Sequence, residues 1–321
     1  MRRAIVVDAG CDLSELERKA LGIELWPIAI MHPAAAEIDV RDENALCALY
    51  RKGADSLSEA SSKPVEQFVA RAKLLEYTTR QDELLYLAIM SARSPALLHA
   101  KQAADSLPIA LQTERKIRKL PNFRFVAHDS QQLLAGYAWL GAYAALRLRV
   151  HAQAEYAIQD TITDVEHAAK NVSGYLIPGQ LKTIRERAMR KGEKSVGFLG
   201  YALGTALDIK PIIACRSGKT GAVGRVRGFE NALNEVVGAV IKQIEQGQLL
   251  EPLITLVYGG ELSGLAQYSV LEKLEIACRK HSVRLLRSMM SVTGLVNIGA
   301  GGFSIGLCSK VHPYGNFALL K

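Results

Sequence analysis

Leu84-Leu85-Tyr86-Leu87-Ala88-Ile89-Met90 is the stretch whose reading decides the fold. An unbroken apolar run of this length fits a strand covered on both faces, as in a parallel sheet. Ser91, Arg93 and Ser94 follow it, and then a helical segment through Ala104. The same order appears on either side. Ala4–Val7 is a β-rich run ending at Asp8, followed by Gly10 and by Leu13–Leu21 at helical spacing, which Gly22 closes. Ile23–Met31 reads as a second strand. Asn44–Lys52 reads as a helix ended by Gly53, and a polar segment, Ala54–Lys63, leads to Pro64 and a helical Val65–Leu75. Phe123–Ala127 is another strand, ending in Asp129-Ser130, with an alanine-rich helix, Leu133–Arg147, after it. Strand, polar turn and helix in alternation specify a parallel α/β sheet of Rossmann-like type.

Beyond about residue 155 the order changes. A basic helix, Gly179–Lys191, and an apolar one, Val196–Leu207, are followed by the strands Lys210–Cys215 and Ala222–Arg227, which read as a hairpin. Then come a helix Ala232–Gln246, a strand Leu253–Tyr258, a helix Gly264–Lys280 and a strand Arg284–Met289. The expected fold class is α/β, with an α/β parallel-sheet domain over 1–155 and an α+β domain over 156–321. The tail strands are expected to return to the first domain. Ser288–Ser309 carries no charge over 22 residues, but its five glycines and four serines suit strands joined by a glycine loop better than a membrane span.

The 321 residues include 40 Lys and Arg against 32 Asp and Glu, a net charge of +8 that is mild for this length. Hydrophobic residues at 49% and charged ones at 22% exclude a disordered or fibrous chain. Five scattered cysteines and no CxxC pair fit reduced thiols in a cytoplasmic setting, and the dispersed histidines give no metal-ligand spacing. The opening Met-Arg-Arg-Ala-Ile-Val-Val-Asp has too short an apolar run for a signal peptide and reads as a first strand. Basic residues gather at 115–124, 182–194, 216–227 and 279–287 without interleaved aromatic residues, so they read as solvated surface and not as a nucleic-acid face.

Three motif matches invite chemistry. Ser217-Gly218-Lys219-Thr220 ends like a phosphate-binding loop, but the first glycine of that motif falls at Ile213 and no helix follows, so a hairpin turn is expected. Gly302-Phe303-Ser304-Ile305-Gly306 matches GxSxG, the nucleophile elbow of serine hydrolases. An acid downstream of Ser304 is missing, His312 is the one histidine there, and the alternation of Phe303, Ile305 and Leu307 suggests a strand. A hydrolase of acyl esters using Ser304 is the alternative enzyme reading. Gly299-Ala300-Gly301-Gly302 lacks dinucleotide spacing and points to close backbone approach.

Val7-Asp8-Ala9-Gly10-Cys11-Asp12-Leu13, Ser61-Ser62-Lys63-Pro64, Ile89-Met90-Ser91-Ala92-Arg93-Ser94 and Val126-Ala127-His128-Asp129-Ser130 stand in order along the chain. Leu207-Asp208-Ile209-Lys210-Pro211-Ile212, Gly224-Arg225-Val226-Arg227-Gly228 and Val296–Leu307 complete the series. Together they resemble the bacterial DegV family, whose motifs are D-S-T-x-D-L, T-S-Q-P, I-S-S-x-L-S, V-x-D-S, L-x-I-K-P-I, G-K-V-R-G and G-A-H-T-G-P-G-A-L-G-L. The pair L-x-I-K-P-I and V-R-G is the most specific part.

The resemblance implies two α/β domains that enclose a long-chain fatty acid in an apolar tunnel, with no cofactor and no catalysis by the chain itself. It further implies a role in phospholipid metabolism as the lipid-binding subunit of a fatty acid kinase, presenting the carboxylate to a separate ATP-using protein. By motif position Ser62 and Ser91 are head-group donors, with Ser61 and Ser94 near them and Arg225 and Arg227 placed to attract the anion. The chain departs from the family at several points. The histidine falls at Gly299, the threonine and proline at Ala300 and Gly302, the early S-T at Ala9-Gly10, and the glutamine at Lys63, whose charge stands in for the lost histidine. The segment Gly179–Gly204 also exceeds the family's usual length.

Overall fold

The computed structural model describes residues 1–32, 35–39, 41–52, 60–184 and 208–314. The apolar stretch Leu84–Met90 supplies β6 (Glu83–Ala88), one of four strands in a wholly parallel sheet of order β2-β1-β6-β7. The others are β1 (Arg3–Asp8), β2 (Ile23–Trp26) and β7 (Arg124–Asp129). Every residue of β6 is buried because the strand's two faces meet two different cores. Leu84, Tyr86 and Ala88 pack with α3 (Gln67–Arg80) and α4 (Ala96–Asp105), where Trp26 stacks on Tyr86 with ring centroids 4.4 Å apart. Leu85 and Leu87 face α6 (Leu134–Val150) and α7 (Ala157–Ala169). A short helix, α1 (Glu15–Leu21), is opened by a capping box in which Ser14 and Glu17 bond each other's backbone and is closed by Gly22 at φ 71°.

The expected strand Ile23–Met31 is two strands. Pro27 has no N–H to donate and ends the ladder at Trp26. The chain resumes as β3 (Ala29–His32), which joins β4 (Ala35–Ile38) and β5 (Ser61–Lys63) in a small antiparallel sheet of order β4-β3-β5. Between β4 and β5 lies α2 (Glu43–Lys52). A further helix, α5 (Ala110–Ile117), precedes β7.

The second sheet has six strands in the order β10-β9-β8-β13-β11-β12. These are β8 (Val172–Ile177), β9 (Ile209–Arg216), β10 (Lys219–Arg227), β11 (Leu249–Tyr258), β12 (Arg284–Met289) and β13 (Phe303–Ser309). Only β11 and β12 pair in parallel. On one face lie α8 (Phe229–Glu245) and α9 (Ser269–Lys280). α6 covers the other, with Trp139 Nε1 donating to the Leu253 carbonyl at 2.8 Å. The tail strand β13 sits inside this sheet, between β8 and β11, rather than beside the first sheet.

The phosphate-loop lookalike is the β9–β10 hairpin turn, with Ser217 at φ 46° and Gly218 at φ 74°, both in the left-handed region a two-residue turn requires. The expected helix Gly264–Lys280 divides into a 3₁₀ turn, Leu262–Gln267, and α9. The uncharged Ser288–Ser309 contains a helix as well as strands: Ser291 Oγ accepts from Gly294 N at 3.0 Å and caps α10 (Val292–Ile298). Of the expected helices Gly179–Lys191 and Val196–Leu207, residues 185–207 lie outside the described residues, as does most of the long segment Gly179–Gly204. Among the described residues no helix is long and apolar enough to cross a membrane, and no His, Cys, Asp and Glu side chains gather as a metal site.

The GxSxG match has a packing cause. A Cβ at Gly306 would lie 2.6 Å from the Ala135 carbonyl oxygen and 2.7 Å from Thr255 Oγ1, so β13 can approach the start of α6 only without a side chain there. Gly306→Ala is therefore expected to lower stability by about 2–3 kcal/mol, read as a lower urea midpoint with an unchanged slope.

Candidate functional site

From β1 the chain passes to β2 on one side and to β6 and β7 on the other. The topological switch point therefore lies between β1 and β6, where the loops that follow these strands part and leave a crevice. Asp8 closes β1 and ties the two loops together. Its buried carboxylate accepts from Gly10 N at 3.1 Å and from Ile89 N at 3.0 Å, and it meets the hydroxyls of Tyr86 at 3.3 Å and Tyr137 at 3.2 Å. Burial raises its pKa to about 6 against the pull of those donors. Gly10 is required because a Cβ there would lie 3.0 Å from Asp8 Oδ1 and 3.2 Å from Ile89 Cδ1.

A second polar group fixes α10 beside this crevice. Asp12 Oδ1 accepts from Ser291 N at 2.8 Å and pairs with the buried Arg41 at 3.3 Å. Arg41 also donates to the carbonyls of Leu13 at 3.1 Å and Met289 at 3.0 Å. Asp39 accepts from Val292 N at 3.1 Å and Thr293 N at 2.8 Å, filling the orphan donors of the helix start. Held this way, α10 carries Asn297 to β5: its Nδ2 donates to the Thr293 carbonyl at 2.7 Å and reaches Ser62 Oγ at 3.4 Å. Apolar side chains flank the pair. Ile28, Ile30, Leu46, Met289 and Val296 form one buried cluster, and Leu134, Val257, Met290 and Leu295 form its neighbour, with half-buried Leu49 and Tyr50 shared between them. A hydroxyl and an amide at the rim of an apolar wall suit a ligand that is polar at one end and aliphatic along its length.

The residues singled out in the sequence fall into three places. Ser61, Ser62 and Lys63 form β5, with Ser62 opposite Ile30 and Lys63 exposed. Ser91 and Ser94 stand on the loop after β6. Ser91 donates its hydroxyl to Asp129 Oδ2 at 2.5 Å and its N–H to Oδ1 at 3.1 Å, while Ser94 Oγ accepts from Ala96 N at 3.3 Å at the start of α4. Arg93 joins that loop to the hairpin by donating to Thr220 Oγ1 at 2.6 Å. Arg225 and Arg227 are exposed on β10, the edge strand of the second sheet. Gly299 closes α10 at φ 85°, and a Cβ there would lie 2.9 Å from Gln180 Cβ, so this backbone rejects the side chain the family motif carries. A hydrogen bond brings Ser62 and the tail helix together.

Asn297, Asp39 and Arg41 were not legible as site residues. Ser62 and Asn297 are 235 positions apart, and no local pattern marks such a pair. Asp8 and Asp12 had a signal in the opening D-x-x-x-D-L. The hydrolase alternative is overturned. Ser304 is the second residue of strand β13 at 1% exposure, its Oγ accepts from Ala135 N at 3.4 Å, and His312 is bonded to Ser173 instead, at 3.0 Å.

Burial also raises the pKa of Asp39 to about 6. A carboxyl whose folded pKa exceeds its unfolded value binds more protons when folded, so its contribution to stability falls as pH rises from about 4 to about 6. Asp39→Asn is expected to flatten the dependence of the urea midpoint on pH in that window, a comparison made by denaturation at half-unit pH steps.

Residues 2–310 match the family described as "Uncharacterised protein, DegV family". A DegV domain-containing protein of Xanthomonas axonopodis pv. citri is 34% identical over 320 residues, covering 98% of this chain and 99% of the relative. Among solved structures, a DegV protein of Bacillus subtilis described as a fatty acid binding protein superposes with a TM-score of 0.72 at 16% identity, over 97% of this chain and 100% of that one. A DegV family protein from Thermus thermophilus, described by its fatty acid binding, gives 0.70 at 18% identity, over 96% of this chain and 100% of that one. A stearic acid-binding protein of Eubacterium ventriosum gives 0.71 at 15% identity, over 96% and 98%. With its motifs in order, its parallel sheet joined to a second mixed sheet, and this match across nearly all its length, the chain belongs to the DegV family.

Proposed function

We propose that this chain is a non-catalytic carrier of one long-chain fatty acid in the cytoplasm. The two domains, 1–155 and 156–321, meet across α6. The acyl chain lies along the apolar clusters beside α2 and α10, and the carboxylate faces the Ser62–Asn297 pair. That pair is the observation that carries the reading. Asn297 donates to Ser62 Oγ, which leaves the hydroxyl proton of Ser62 to donate to an anion. Lys63, exposed on the same strand, supplies the positive charge that the absent histidine does not. Ser91 has its proton engaged by Asp129 and offers only lone pairs, so it contacts the head group through water. The fold-mates described as fatty acid binding support the ligand class.

Mass spectrometry of an organic extract of the purified full chain tests the reading. One C16–C18 acid per chain is the expected result, and a lipid-free protein that takes up no added palmitate overturns it. The double variant Ser62→Ala, Asn297→Ala should bind palmitate about tenfold more weakly, the effect of roughly one hydrogen bond to a charged group. Lys63→Ala should weaken it further, and unchanged affinity removes Lys63 from the site.

The same reading has the carboxylate presented to a separate kinase, whose ATP γ-phosphoryl group passes to a carboxylate oxygen with release of ADP. Acyl phosphate formation on mixing the loaded chain with a fatty acid kinase and ATP is the expected outcome. No product, with lipid binding intact, leaves the carrier role alone.

A further inference from the structure

The apolar wall assigned to the acyl chain is covered from outside by α2. Leu46, Leu49 and Tyr50 share one face of this helix, and with Cys47 they pack into the clusters that hold Met289, Met290, Leu295 and Val296. Asn44, Ala45 and Ala48 on its outer side are exposed. Among the described side chains of α2, Leu46 alone is fully buried, at 1% exposure. The neighbouring α10 buries Val292, Leu295 and Val296 and is pinned at its start by Asp39. Elements with the fewest buried contacts open at the lowest cost, so of these two helices α2 is the one that yields.

The two ends of α2 are held in different ways. Arg41, two residues before the helix, is buried and bonded to Asp12 and to the carbonyls of Leu13 and Met289, which fixes that end in the core. At the other end Arg51 reaches the loop after β11. Its Nε donates to Glu261 Oε1 at 2.8 Å and its Nη2 to Oε2 at 3.1 Å, a bidentate pair. Tyr50 Oη donates to the Met290 carbonyl at 3.0 Å beside it. Glu261 stands on a firm support, because Gly259 N donates to the Gly302 carbonyl at 2.7 Å and Gly301 N to the Gly259 carbonyl at 2.7 Å. The bond from Arg51 holds the Glu261 carboxyl below its ordinary pKa, so the pair stays charged at neutrality. Arg51 is exposed and Glu261 half-buried, so water solvates both groups when the pair parts.

We infer that α2 is a lid hinged at Arg41 and latched by Arg51 and Glu261, and that its latched end lifts to pass the acyl chain. What passes beneath it rests on the fatty-acid reading, whereas the motion does not. The ion pair sets how readily the lid opens, and the Ser62–Asn297 pair holds the head group once it has closed.

Two rates measured on the full chain test this. One is the release of cis-parinaric acid, a fluorescent long-chain fatty acid, followed by stopped flow. The other is modification of the Cys47 thiol by a disulfide reagent, located by peptide mass spectrometry, since Cys47 Sγ leaves Met289 Sδ when α2 lifts. Arg51→Ala and Glu261→Ala are each expected to quicken both rates about threefold, the scale of one exposed ion pair. The double alanine variant should be no faster than either, and the exchanged pair Arg51→Glu, Glu261→Arg should return toward the original rates. Sodium chloride at about 0.5 M should quicken release from the unaltered chain but not from the double alanine variant. Unchanged rates in both single variants, or single effects that add in the double one, overturn the latch. Faster thiol modification with unchanged release overturns the passage of the acyl chain beneath α2. A chain that takes up no parinaric acid overturns the fatty-acid reading, and the thiol rates then decide the latch by themselves.

Discussion

The burial of α6 between two sheets is the constraint on which the rest of the structure depends. Leu134 through Ala145 are buried without a break, which no helix on a protein surface allows. Such a helix must be covered on every side, so it needs the parallel sheet on one flank and the mixed sheet on the other. Close approach to the mixed sheet uses small groups: Gly136 meets Gly174, and Gly306 meets the Ala135 carbonyl. Once α6 is in place the switch point of the first sheet faces the tail of the chain. The crevice is a consequence of that stacking.

Polar groups then do what apolar packing cannot, which is to fix orientation. Asp8 joins the loops after β1 and β6 through backbone donors. Asp12, Arg41 and Asp39 hold the short α10 by its N-terminus. A seven-residue helix has little stability of its own, so its position is set by these bonds and by the apolar contacts of Val292, Leu295 and Val296. The aspartates sit at raised pKa because burial opposes their charge, and donors aimed at them keep them ionised near neutrality. Position of the rim amide, Asn297, depends on all of these.

The exchange of a family histidine for Gly299 has a structural counterpart. Its backbone is left-handed and lies against Gln180, where a side chain does not fit. Two residues back, Asn297 makes the polar contact from α10 to β5, at Ser62. A neutral amide has no proton to gain or lose near neutrality.

The alternation of strand and helix in the first half was legible because each buried strand is an unbroken apolar run and each helix has caps and spacing of its own. Motif position picked out Ser61, Ser62 and Lys63, which the fold places on β5, Ser91 and Ser94, which it places on the loop after β6, and Gly299, which it places at the end of α10. The break at Pro27 could have been read, since proline cannot continue a ladder. The helix α10 was hidden by glycines and serines that serve equally in loops, and its cap and anchors come from Asp39 and Asp12, far away in sequence. Local physics, in periodicity, capping and turn residues, fixed which segments are strands and helices. Which of them meet was left to burial: α6 had to be covered on all sides, and covering it is what joins Ser62 to Asn297.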